Sequence, residues 1–190
     1  MQKFKITLSS TSPYMQHRMD DISLAEWEKK RGNIIERPEV NHTDAVRAEY
    51  HCYRNEQGHC YIPSAHIKCA LIEAGKLVKG KMGNASRSMK NIVAGMFLVT
   101  PEEILLPDYD KIDKRSAVNQ AVKARVITIR PKWSGWSGSI ILNVKNDTIT
   151  QETVQNIVQH AGDFIGIGSY RPTHSGEFGC FEITDIKKLI

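Results

Sequence analysis

The sequence has no apolar run that could cross a bilayer. Stretches such as 140–142 and 95–99 fall far short of the roughly 18 residues a span requires. Cysteine is sparse: Cys52, Cys60, Cys69 and Cys180 are all there is. The chain begins Met1-Gln2-Lys3-Phe4-Lys5, without an apolar signal core, so a disulfide framework is not expected. The sequence reads as cytosolic, with no membrane partner. It contains no phosphate-binding Walker loop, dinucleotide fingerprint, nucleophile elbow or H-E-x-x-H pair. No solenoid-period repeat and no low-complexity segment is present.

What is present is a core-sized apolar fraction, 41% of 190 residues, with 25% charged side chains. This fits one domain spanning residues 1–190. The net charge of +5 favours an anionic partner.

Phe4, Ile6 and Leu8 alternate with Lys3, Lys5 and Thr7, as in a half-buried strand. Residues 10–48 are polar and irregular and read as an insertion, with one short helix over 24–30. Residues 49–53 and 59–62 flank a Gly58-terminated turn and read as a hairpin. Ser64 can cap a helix running to Val78, whose inner positions are Ile67, Ala70, Leu71, Ala74 and Val78. Residues 80–120 read as a second insertion, with a short helix over 88–95 and a charged loop over 107–116. Residues 121–130 alternate cleanly, and 139–144 read as their antiparallel partner across a turn holding Trp133 and Trp136. Thr150 caps a helix over 151–160, and Gly162 is a natural terminator. A last strand covers 178–186. Without insertions the order is strand, helix, strand, strand, helix, strand. That is the α+β, ferredoxin-like (RRM-like) βαββαβ order: a four-stranded antiparallel sheet with two helices.

Between the second helix and the last strand lies Gly166-Ile167-Gly168-Ser169-Tyr170-Arg171-Pro172, followed by Gly176-Glu177-Phe178-Gly179-Cys180-Phe181. Glycine lets backbone N–H groups approach an anion, Arg171 offers a phosphate-shaped fork, and Tyr170 and Phe178 offer rings. This segment resembles the glycine-rich loop of the repeat-associated (RAMP) superfamily of CRISPR systems. The start, Ile6 through His17, is similar to the opening strand of that family's guide-RNA-coating backbone subunits. Residues 61–64 leading to 74–76 are similar to the approach to their first helix. Phage-encoded relatives of the same kind exist.

The resemblance implies a non-catalytic protein that coats single-stranded RNA as repeated copies of itself, beside other CRISPR effector subunits. Gly166, Gly168, Ser169, Tyr170 and Arg171 are its expected contacts. Further candidates are His17 and Arg18 near the first strand, the basic set Lys76, Lys79, Lys81, Arg87 and Lys90, and Trp133 as a stacking ring. Alternatives are a single-stranded DNA-binding phage protein, an interaction protein docking on a ribonucleoprotein, and a metal-independent endoribonuclease drawing on His17, His42, Asp20 or Asp21. No catalytic residue is assigned. His51, Cys52, His59, Cys60, His66 and Cys69 invite a zinc reading, but no C-x₂-C pair occurs. Neither a metal nor a cofactor is expected.

Overall fold

The computed structural model describes residues 1–19, 43–82, 85–119 and 124–189. The helix expected over 24–30 lies outside them. A four-stranded antiparallel sheet forms the centre, in the order β11-β1-β10-β6. Its strands are β1 (Gln2–Ser10), β6 (Phe97–Thr100), β10 (Ser137–Val144) and β11 (Phe181–Leu189). Alternation drives β1: Phe4, Ile6 and Leu8 are buried while Lys3 and Lys5 face solvent.

Two helices pack into the same core, α2 (Ser64–Ala74) through Ile67, Leu71 and Ala74, and α4 (Gln151–His160) through Val154, Ile157 and Val158. The order β1, α2, β6, β10, α4, β11 is the ferredoxin-like βαββαβ arrangement. The Thr150 side chain accepts the Thr153 N–H at 3.2 Å and starts α4, as expected. Among the described residues no helix is long and apolar enough to cross a membrane.

Around this core stand smaller pieces. A three-stranded sheet joins β2 (Tyr14–Met15), β9 (Ala124–Trp133) and β8 (Lys111–Asn119). A short pair joins β3 (Tyr61–Pro63) to β7 (Glu103–Leu105), and a hairpin joins β4 (Lys79–Met82) to β5 (Ala85–Ser88). The short helices are α1 (Asp44–Tyr50) and α3 (Lys90–Met96). The Lys68 ammonium satisfies the carbonyls of Val93, Ala94 and Phe97 at the end of α3.

Several expectations are corrected. The second core strand is β6, inside the stretch read as an insertion, and β10 pairs with it rather than with residues 121–130. Only Phe97 and Val99 of β6 are buried, too short an alternation to stand out in sequence. The charged segment after Pro107 is mostly strand β8, because β9 supplies a ladder partner along its length. Glu49 and Tyr50 close α1, and the expected hairpin shrinks to one bridge between Arg54 and Cys60. Ser64 does not cap α2; its N–H donates to the Glu102 carbonyl at 2.8 Å. Gly162 does not stop α4, which runs on as a π turn through Ile165 and ends at Gly166.

Candidate nucleic-acid interface

The glycine-rich segment is pinned to the β1–β2 connection by its backbone. Ile167 N–H donates to Gly179 O at 2.9 Å, Ser169 N–H to Met15 O at 3.0 Å, and Gly179 N–H to Pro13 O at 2.7 Å. Gly166 N–H closes the π turn on Ala161 O at 2.8 Å, and Phe178 N–H returns to Tyr170 O at 2.9 Å. A Cβ at Gly168 would overlap the Met15 carbonyl, so this position is set by close approach. The amides of Gly166 and Ser169 are therefore engaged within the protein, and they do not form the open anion cradle that glycine content alone suggests.

The segment instead builds one wall of an open groove of about 930 Å³. Arg171 and His174 lie on that wall, His66, Cys69 and Glu73 come from α2, and His17 and Arg130 also line it. Arg171 is braced in place: Nη1 donates to Gly168 O at 2.9 Å and Nε to Thr173 Oγ1 at 3.0 Å. The rest of its guanidinium fork stays available to a ligand oxygen.

Tyr170 and Phe178 are held by cations of the β8–β9 ribbon. The Arg115 guanidinium lies 4.5 Å from the Tyr170 ring centre and 5.2 Å from that of Phe178. Arg130 lies 5.2 Å from the Tyr170 ring, and Lys132 4.7 Å from the Phe178 ring. These rings thus hold a row of positive groups beside the groove.

The sequence reading missed Arg115, Arg130 and Lys132. Their signal appears only once β8 is recognised as a strand. Asp113 then stands opposite Arg130, and Arg115 opposite Thr128, on one face of the ribbon.

Of the remaining expected contacts, His17 lines the groove and meets His51 edge-on at 4.7 Å. Arg18 is tied by its backbone to His51. Lys76, Lys79, Arg87 and Lys90 are exposed but do not line the groove; Lys76 is paired with Glu73. Lys79 and Lys81 lie on β4 and Arg87 on β5, a separate hairpin, while Lys76 follows α2 and Lys90 opens α3. Trp133 is not a surface ring. It is only 1% exposed, its indole N–H donates to Pro107 O at 2.8 Å, and Tyr14 and Tyr109 flank it. Trp136 is buried too. Asp20, Asp21 and His42 lie outside the described residues.

The His/Cys cluster does not converge. Cys52 and Cys60 meet inside the core, with sulfurs 3.4 Å apart. His66 turns to Tyr14 and Tyr53, and Cys69 is exposed. Among the described residues no group of three or more such side chains gathers.

The sheet face away from the helices offers less. Register places Lys3 beside Asn143 and Leu189, Lys5 beside Ile141 and Lys187, and Thr7 beside Ser139 and Asp185. Leu98 and Thr100 extend these rows on β6. None of these residues is aromatic, so this face lacks the base-stacking platform of RNA-binding sheets of this shape.

Burial, and next the charge of Arg171, holds the His66 imidazole below its ordinary pKa. The unfolded chain therefore binds this proton more readily than the folded one. Stability is expected to fall as pH drops through and below about 6.5, the unperturbed histidine value. Thermal unfolding at pH 7.5 and 5.5 checks this, with a smaller difference expected in His66→Gln.

No protein-family model matches the chain, and no curated protein does. By fold it is an α+β protein of ferredoxin-like architecture. More particularly, it is similar to a chain in the cryo-EM structure of the Type III-B Cmr-beta bound to cognate target RNA. The match has a TM-score of 0.53 at 11% identity and covers 99% of this chain and 60% of that one. This chain thus spans about three fifths of that neighbour's length.

Proposed function

We propose that this chain is a non-catalytic RAMP-type protein that holds single-stranded RNA along the groove between α2 and the glycine-rich segment. The observation that carries the reading is the groove itself. Arg171, Arg130 and His17 line it, with Arg115 and Lys132 held beside it on Tyr170 and Phe178. Among the described residues lining the groove, the acidic one is Glu73, itself paired with Lys76. The net charge of +5 supports the same partner class. The neighbouring structure contains target RNA, which supports RNA over DNA. On this reading the chain is one domain, assembles in copies along the strand beside other effector subunits, and uses its basic β4–β5 hairpin as an outlying phosphate contact.

Fluorescence anisotropy with labelled single-stranded RNA tests the proposal. Arg171→Ala is expected to weaken binding about tenfold, the loss of one charge-assisted hydrogen-bonded contact. Unchanged affinity removes Arg171 from the interface. No salt-dependent binding by the wild-type chain overturns the reading.

A further inference from the structure

Arg130 is one of the few polar side chains buried in the described structure, at 9% exposure. It lies on β9, lines the groove, and directs Nη2 to His17 Nδ1 at 3.3 Å. Its Nε is fully covered and has no hydrogen-bond partner among the described residues. A buried cation is ordinarily matched by a carboxylate, because desolvating an unpaired charge costs several kcal/mol.

Among the described residues, the carboxylate directly across the ladder is Asp113. Both Asp113 oxygens are taken by Arg115, through its Nε and Nη2. No described acidic group forms an ion pair with Arg130. Tyr170 offers its ring and a side-chain hydrogen bond but no carboxylate, and Lys132 and Arg115 add further positive charge nearby. Burial accordingly weakens the hold of Arg130 on its proton, partly offset by Tyr170 and by the more distant Asp113. Among the described residues no carboxylate pairs with Arg130 in the groove that His17, Ser169 and Tyr170 also line.

We infer that the buried Arg130, with the exposed His17 beside it, is a phosphate-binding subsite in the groove wall that takes one phosphodiester group of the bound strand. Arg115 and Tyr170 position it, Arg115 by occupying Asp113 and Tyr170 by fixing the plane of the guanidinium. The inference rests on the RNA reading above and deepens it. It names a place where, among the described residues, a buried arginine has no carboxylate ion pair and a phosphate would supply one. It also makes Arg130 a residue that costs stability in the free protein, as functional residues commonly do.

Arg130→Gln separates these effects. RNA affinity is read by anisotropy across a salt series, and folding by thermal unfolding of the free protein. The expected result is about tenfold weaker binding, a log–log salt slope smaller by about 0.7, and a melting temperature equal to or above wild type. Arg130→Lys is expected to keep most of the slope. Lys5→Gln, on the open sheet face, is expected to change neither reading.

If wild type binds RNA and Arg130→Gln binds with the same affinity and slope, the subsite is wrong and the RNA reading stands. If Arg130→Gln melts below wild type or fails to fold, Arg130 is a packing residue and the inference is overturned. If wild type does not bind RNA, the RNA reading falls, and inorganic phosphate decides the subsite. A phosphate-induced rise in melting temperature that Arg130→Gln abolishes supports the subsite for another phosphoester; no rise overturns it.

Discussion

Gly179→Ala is expected to lower stability by about 3–5 kcal/mol and the melting temperature by roughly 10 °C. Two costs add. Gly179 has φ 75, in the left-handed region, which a residue with a Cβ adopts only under strain. A Cβ there would also overlap the Ile167 carbonyl, which accepts no such intrusion because it is backbone. Relief requires Gly179 to move away from Pro13 and Ile167, breaking its bond to Pro13 O on the β1–β2 connection and the Ile167 N–H bond to its own carbonyl inside the segment. RNA affinity should fall with it, since Tyr170 and Arg171 hang from the same loop. Gly58→Ala is the control. Gly58 has φ 83 but open space around it, so only the backbone strain of about 1–2 kcal/mol is expected. Thermal unfolding followed by circular dichroism separates the two; equal losses would contradict the close approach at Gly179.

Trp133→Ala is expected to cost about 3–5 kcal/mol, the range for deleting a large buried ring. Trp133, the last residue of β9, packs against Tyr14 and Tyr109, and its N–H satisfies the Pro107 carbonyl. Trp133→Phe should recover part of the packing while leaving that carbonyl without its donor. If Trp133 stacked on a base instead, Trp133→Ala would lose RNA affinity at unchanged melting temperature. Urea unfolding alongside anisotropy distinguishes the outcomes.

Strongly periodic pieces of the fold were readable in the residues. β1 announced itself through Phe4, Ile6 and Leu8, α4 through Thr150 and its apolar stripe, and β11 by following the glycine-rich segment. β6 was hidden because four residues carry too little pattern, and β8 because its charged side chains face the ribbon's cations and solvent rather than a core. Arg171 could be named as a candidate contact from the loop motif, though the groove it lines could not. Arg130 could not, because its importance lies in what surrounds it: a carboxylate opposite that another arginine occupies, and a tyrosine from a loop 40 residues further along, counting Arg130 to Tyr170. Trp133 misled for a related reason. Its neighbours Ser134 and Gly135 suggest an exposed turn, yet the strand pairing of Tyr14 with Trp133 draws the ring inward.

The most direct measurement is the affinity of the purified chain for labelled, unstructured single-stranded RNA between about 50 and 200 mM salt. It would be made for wild type, a groove variant (Arg115→Ala, Arg130→Gln, Arg171→Ala) and a sheet-face variant (Lys3→Gln, Lys5→Gln, Lys187→Gln). The account predicts salt-sensitive binding by wild type and by the sheet-face variant, and its loss in the groove variant. No binding by wild type at low salt, or loss in the sheet-face variant with the groove variant unaffected, would contradict it.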